Sequence, residues 1–115
     1  MEKGGDIKRG MLGISIVDVS VIDKEEYDPG IDYGVLISEF AYRTDSYGRK
    51  ILFSSAKKAG LEIGDVITGV DGSLITGADE LQESLKFTKI GDTVDVEVHR
   101  DGRKKTIPVK ITVGI

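Results

Sequence analysis

Apolar residues recur along this chain with two different periods, and the switches between them mark out its elements. Leu12, Ile14 and Ile16 alternate with Gly13, Ser15 and Val17, the pattern of a strand with one buried face. Val35–Phe40, VLISEF, reads as a second strand entered through Gly34. Residues 65–70 form a third apolar run, and Asp71-Gly72 follows it as a tight turn of a type that needs positive φ. Residues 73–75 return as a short strand. The clearest signal comes last: Val94, Val96 and Val98 alternate with Asp95, Glu97 and His99, and after Asp101-Gly102 the residues Ile107, Val109, Ile111 and Val113 alternate on the way back. This predicts a hairpin. Pro108 falls on the polar phase of the returning strand, and proline has no N–H to donate, so that strand belongs at a sheet edge or has its N–H side free.

From Gly77 the period changes to helical. Ala78, Leu81 and Leu85 recur at three- and four-residue spacing, with Asp79 and Glu80 in the first turn, where the helix dipole favours anions. A shorter helix of about two turns is predicted over residues 54–59, where Ser54 can cap the N-terminus and Gly60 can take the left-handed conformation that ends it. Residues 41–50, AYRTDSYGRK, are polar and read as a loop, long for a hairpin connection. Residues 1–9, with Gly4-Gly5, read as a linker arm whose last residues can pair with a strand. About six short strands and two helices result, an α+β chain that is mostly β.

Composition narrows the functions without choosing one. At 115 residues the chain fits a single domain. Its formal charge of −4, with both signs mixed along the sequence, argues against a nucleic-acid surface, and RDGRKK at 100–105 reads as a hairpin tip in water. There is no cysteine for a disulfide or a thiolate metal site. No apolar run approaches the roughly 18 residues of a membrane span, and no segment reads as a signal peptide, so an export signal, if there is one, lies outside this chain.

Candidate catalytic groups are sparse. Asp65 and Asp71 could form a general acid and base, but both sit beside turn glycines, where aspartate caps backbone donors. A calcium loop starting at Asp71 would place Ser73, Ile75 and Gln82 at positions that need oxygen ligands, a glutamate at the last. His99 is the only histidine, on the polar phase of a strand, and no serine sits in a glycine-flanked nucleophile turn. No glycine loop followed by lysine is present to cradle phosphate. No cofactor or metal is therefore expected. Gly10-Met11-Leu12-Gly13-Ile14 admits two readings: a concave nest of backbone N–H groups that suits a carboxylate, with Lys8 and Arg9 beside it, or a plain glycine turn into a strand.

Taken together, these segments resemble a PDZ domain of the C-terminal type found in HtrA-family, trypsin-like serine proteases. RGMLGISI at 9–16 resembles that family's entry into its ligand-binding strand. SSAKKAGLEIGDVITGVDGSLITGADEL at 54–81 resembles its alanine-glycine-leucine, glycine-aspartate-valine-isoleucine and asparagine-glycine series followed by a helix. VHRDGRKKTIPVKI at 98–111 matches its closing hairpin. Met11, where the family often has an aromatic, Ser55 in place of proline, Gln82 on the groove side and the longer segment 41–53 are departures.

The resemblance implies an open barrel of strands capped by two helices, in the bacterial strand order, over residues 10–115, with 1–9 as the linker from an upstream protease domain. It implies that a hydrophobic peptide, C-terminal or extended, adds as a strand between the edge strand and the longer helix. The carboxylate would meet the N–H groups of Leu12, Gly13 and Ile14 beside Arg9 and Lys8, and Ile14, Ser15 and Ile16 would pair with the peptide backbone. The terminal side chain would enter a pocket of Leu12, Ile14, Ile16 and Leu85, with Gln82 and Ala78 on the groove side and Leu81 toward the core. Partners would be substrate C-termini and the protease domain, with no nucleic acid or membrane contact, in the cell envelope or outside it. Catalysis would reside in that protease domain and serve protein quality control. Other readings are an adaptor with a lone PDZ module, a PDZ domain from a secretion or site-2 protease system, and, remotely, a hydrolase using Asp65 and Asp71. For the 41–53 segment, contact with ligand or a neighbouring domain and a solvated insertion are both open.

Overall fold

A computed structural model describes residues 10–26 and 28–114. Its centre is a six-stranded antiparallel sheet in the order β2-β3-β6-β8-β9, built from Ile14–Asp18, Val35–Phe40, Val66–Val70, Thr93–Arg100 and Arg103–Lys110, with β7, Ser73–Leu74, paired to β6. The short strands β1, Gly10–Met11, and β10, Val113–Gly114, pair separately, as do β4, Tyr42–Thr44, and β5, Lys50–Leu52. Helices α1, Ser55–Ala59, and α2, Ala78–Leu85, complete the fold. The sheets stay open and do not close into a barrel. All five residues of β6 are buried, as befits a central strand flanked on both sides.

Local chemistry explains the boundaries. The Ser54 hydroxyl accepts the Lys57 N–H (3.1 Å) and Gly60 ends the helix at φ 103°. Asp71 and Gly72 have φ 49° and 83°, and Asp101 and Gly102 have 52° and 77°, so both two-residue hairpins use the positive-φ turns that match strand twist. β9 lies at the sheet edge, where Pro108 removes no ladder bond from an inner strand.

Three sequence expectations need correction. Residues 41–50 are not a loop: Tyr42, Arg43 and Thr44 pair with Leu52, Ile51 and Lys50. Asp45 closes this hairpin, accepting the N–H groups of Tyr47 (2.8 Å) and Arg49 (2.9 Å) and the Arg49 Nε (2.7 Å), while Arg43 and Lys50 lie over the rings of Phe53 and Tyr42. The first predicted strand begins at Ile14, because Leu12 and Gly13 form a turn between β1 and β2. The third begins at Val66, because the Asp65 N–H closes a turn on the Glu62 carbonyl (3.1 Å). The arm 1–9, including Lys8 and Arg9, lies outside the described residues.

Candidate functional site

The turn before β2 is clamped from within the molecule. The Leu12 carbonyl accepts the Ser54 hydroxyl (3.0 Å) and the Ala56 N–H (3.0 Å), and the Gly13 carbonyl accepts the Ala41 N–H (2.9 Å). In a trans peptide the N–H of the next residue points opposite to the carbonyl. With both carbonyls turned inward, the N–H groups of Gly13 and Ile14 are therefore directed away from the clamp. Among the described residues, the Leu12 and Gly13 amides donate to no acceptor. Gly13 has φ 72°, and a Cβ there would lie 2.3 Å from the Phe53 carbonyl oxygen, so the turn admits only glycine.

β2 leaves this turn as the terminal strand of the sheet, with α2 packed beside it. Asp18 fixes that pairing: its Oδ1 accepts the Ala78 N–H (2.9 Å) at the start of α2. Glu80, one turn on, bonds the Thr76 hydroxyl and N–H, which hold its carboxyl below the ordinary range. Strand and helix are thus anchored at one end, the end opposite the Leu12–Gly13 turn.

The sequence-selected residues divide by environment. Leu12 is buried in the core, and Leu81 also faces inward. Ile14, Ile16, Ala78 and Leu85 pack against that core while remaining half-exposed, whereas Ser15 and Gln82 are exposed. Apolar surface is thus available on both β2 and α2, with a polar residue on the helix.

Neither aspartate is placed for catalysis. Asp65 is buried, its Oδ1 accepting Arg100 Nε (2.8 Å) and its Oδ2 accepting Arg100 Nη2 (2.6 Å) and the Glu62 N–H (2.9 Å). This bidentate pairing raises the pKa of the Arg100 guanidinium. Asp71 accepts the Asp95 N–H (2.7 Å) across the β6–β8 pair. His99 stands half-exposed opposite Val66 and Lys104. No group of three or more His, Asp or Glu residues among those described could hold a metal.

Three contributions were missed in the sequence. Ser54, read correctly as a helix cap, is also a clamp on Leu12, Asp18 caps a helix 60 residues away, and Arg100 completes Asp65. Each is a contact between residues distant in the chain, for which no local pattern exists. Ser55 makes a further long-range tie: its hydroxyl oxygen accepts the N–H groups of Thr112 (2.9 Å) and Val113 (3.2 Å), fastening α1 to the segment before β10, a contact proline could not make.

The sequence pattern of the PDZ domain family matches residues 10–111. The chain belongs to the PDZ family. This PDZ domain is 34% identical over 116 residues to the serine protease Do-like HtrA of Bacillus subtilis, a match spanning 93% of the chain and 23% of that protein. It is 32% identical over 111 residues to a probable periplasmic serine endoprotease, DegP-like, of Marinomonas sp., covering 96% of the chain and 22% of that protein. The chain thus spans about a quarter of the length of these curated relatives. Among solved structures, the HtrA3 PDZ domain bound to a phage-derived ligand, FGRWV, superposes with a TM-score of 0.65 at 22% identity, over 91% of this chain and 86% of that one. That likeness shows the shared fold.

Proposed function

We propose that this PDZ domain binds the free C-terminus of a partner protein as an added strand along β2, and that in a longer protein it presents such ends to an HtrA-type serine endopeptidase. The observation that carries the reading is the clamped Leu12–Gly13 turn: carbonyls are bonded inward, N–H groups are turned out beside an open sheet edge, and only glycine fits the turn. Such an arrangement suits a carboxylate, and the adjacent edge suits an extended backbone. Ile14, Ile16, Ala78 and Leu85 supply apolar surface for the terminal side chain, and Gln82 favours a polar ligand residue farther upstream. Burying one Val or Leu contributes about 1.5–3 kcal/mol. Each charge-assisted hydrogen bond to the carboxylate adds about 1.5–3 kcal/mol and the strand pairing adds more, while association costs on the order of 4–15 kcal/mol; the expected affinity is roughly micromolar rather than nanomolar.

The protease context rests on the relatives, whose names are those of serine proteases, and an envelope location rests on the periplasmic name of the Marinomonas protein. The test is an amide-shift titration with a short peptide ending in a free valine carboxylate and with its amidated twin. Shifts of Leu12, Gly13, Ile14 and Leu85 for the free acid alone are expected. Equal responses to both peptides would overturn carboxylate recognition.

A further inference from the structure

The amides of Leu12, Gly13 and Ile14 each share a rigid peptide plane with the carbonyl of the residue before. Two of those planes are held directly. The Leu12 carbonyl is bonded by the Ser54 hydroxyl and the Ala56 N–H, which orients the Gly13 amide, and the Gly13 carbonyl is bonded by the Ala41 N–H, which orients that of Ile14. The plane that carries the Leu12 amide begins at Met11, the last residue of β1, which pairs with Val113 of β10. That ladder consists of Gly10↔Gly114 and Met11↔Val113 alone, and so short a pair of strands does not hold itself together in water.

Ser55 supplies what the ladder lacks. Its hydroxyl oxygen accepts the N–H groups of Thr112 (2.9 Å) and Val113 (3.2 Å), so β10 meets β1 already fastened to α1. The Ser55 side chain is buried, with the Thr112 hydroxyl 3.4 Å away. Ser55 is the first helical residue of α1, a position where the fixed φ of proline would favour the helix. Serine forgoes that advantage and offers instead an acceptor to donors nearly 60 residues away. Two adjacent serines therefore grip the turn from its two sides, Ser54 directly and Ser55 by way of β10 and β1.

We infer that Ser55 is a positioning residue for carboxylate recognition: through β10 and β1 it fixes the plane of the Leu12 amide, as Ser54 fixes that of Gly13. The inference rests on the peptide-binding reading above and adds to it a residue that touches no ligand. Coupling of this kind is reciprocal. If the tie from Ser55 to Thr112 and Val113 strengthens carboxylate binding, a bound carboxylate strengthens the tie by the same factor, so groove occupancy is felt at β10.

Amide spectra of the full chain, native and Ser55→Ala, test this with a short peptide ending in a free valine carboxylate and its amidated twin. In the native chain the free acid is expected to shift the Leu12, Gly13 and Ile14 amides and to slow hydrogen exchange at Thr112 and Val113 by about 10-fold, while the amidated peptide leaves that exchange unchanged. In Ser55→Ala the free acid should bind about 10-fold more weakly, the usual consequence of losing one charge-assisted hydrogen bond. The Leu12 shift should disappear there, and the Gly13 and Ile14 shifts should remain. Native affinity in a Ser55→Ala chain that circular dichroism shows to be folded overturns the inference but leaves the groove standing. So does a loss spread equally over the three amides, which marks a merely structural role. Where Ser55→Ala does not fold, the native chain decides: unchanged exchange at Thr112 and Val113 on binding the free acid overturns the inference. Equal binding of acid and amide by the native chain, or no binding, removes the groove reading and the inference with it.

Discussion

β2 and β9 end the same sheet on opposite sides, and their free edges are built from opposite chemistry. β9, RKKTIPVK, carries Arg103, Lys104, Lys105 and Lys110, and Pro108 lacks an N–H. Charge and proline both discourage another strand from adding there. β2, ISIVD, has no cation and no proline, and its one charged residue, Asp18, caps α2: its three apolar residues follow a turn whose amides face outward, and α2 stands beside it. One sheet thus presents an edge suited to a peptide and an edge protected from one. The supports differ as well. The β8–β9 side is fastened by the Asp65–Arg100 pair, whereas the β2 side is fastened by backbone carbonyls and a single glycine.

The largest expected effect breaks the fastening on the β8–β9 side. Arg100→Ala leaves the buried Asp65 carboxylate with the Glu62 N–H as its remaining donor, and removing one partner of a buried pair costs about 3–5 kcal/mol. Urea unfolding should show that loss, while the folded fraction still binds free-acid peptide with native affinity. Lost binding in the folded fraction would show that the two sides are not separate.

Gly13→Ala acts on the other side. A Cβ 2.3 Å from the Phe53 oxygen, at φ 72°, costs about 2–4 kcal/mol in strain and displacement. Here both stability and binding should fall, because the same turn holds the fold and aims the amides. A variant that is destabilised but binds the free acid normally would remove the turn from the site.

What was legible in the sequence follows the same division. The β8–β9 hairpin was legible in its Asp-Gly turn and in the alternating valines that face Ile107 and Val109, but the returning strand ends at Lys110, and Val113, expected to continue it, pairs with Met11 instead. The β4–β5 hairpin was read as a loop, because three-residue strands with exposed residues carry no alternation and their order comes from Asp45 and ring–cation contacts. At the site, Gly13 and the apolar phase of β2 could be read from the sequence. The clamp from Ser54 and the cap from Asp18 could not, since each joins segments far apart in the chain.

A smaller effect sharpens the contrast between edges. Pro108→Val restores an N–H on the free side of β9 and should change stability by less than about 0.5 kcal/mol, as an exposed edge substitution does. Sedimentation at high concentration should then reveal more self-association than the native chain shows. If the variant stays monomeric, the cations alone protect β9, and Lys104→Val together with Lys105→Val becomes the informative pair.

The smallest effect concerns the hairpin beside β2 and depends on pH. Asp45 is held below the ordinary carboxyl range, first by the Arg49 N–H, then by the Arg49 side chain and the Tyr47 N–H. A carboxyl whose pKa is lower folded than unfolded contributes fully above its unfolded value, 3.8, and that contribution disappears as the pH falls through the lower folded value. The Tyr47 and Arg49 amide shifts should therefore be constant from about pH 6 to pH 4 and move together below that. In Asp45→Asn they should already differ at pH 6. If they hold to the lowest pH at which the domain stays folded, the ring contacts of Arg43 and Lys50 are sufficient to keep the hairpin closed.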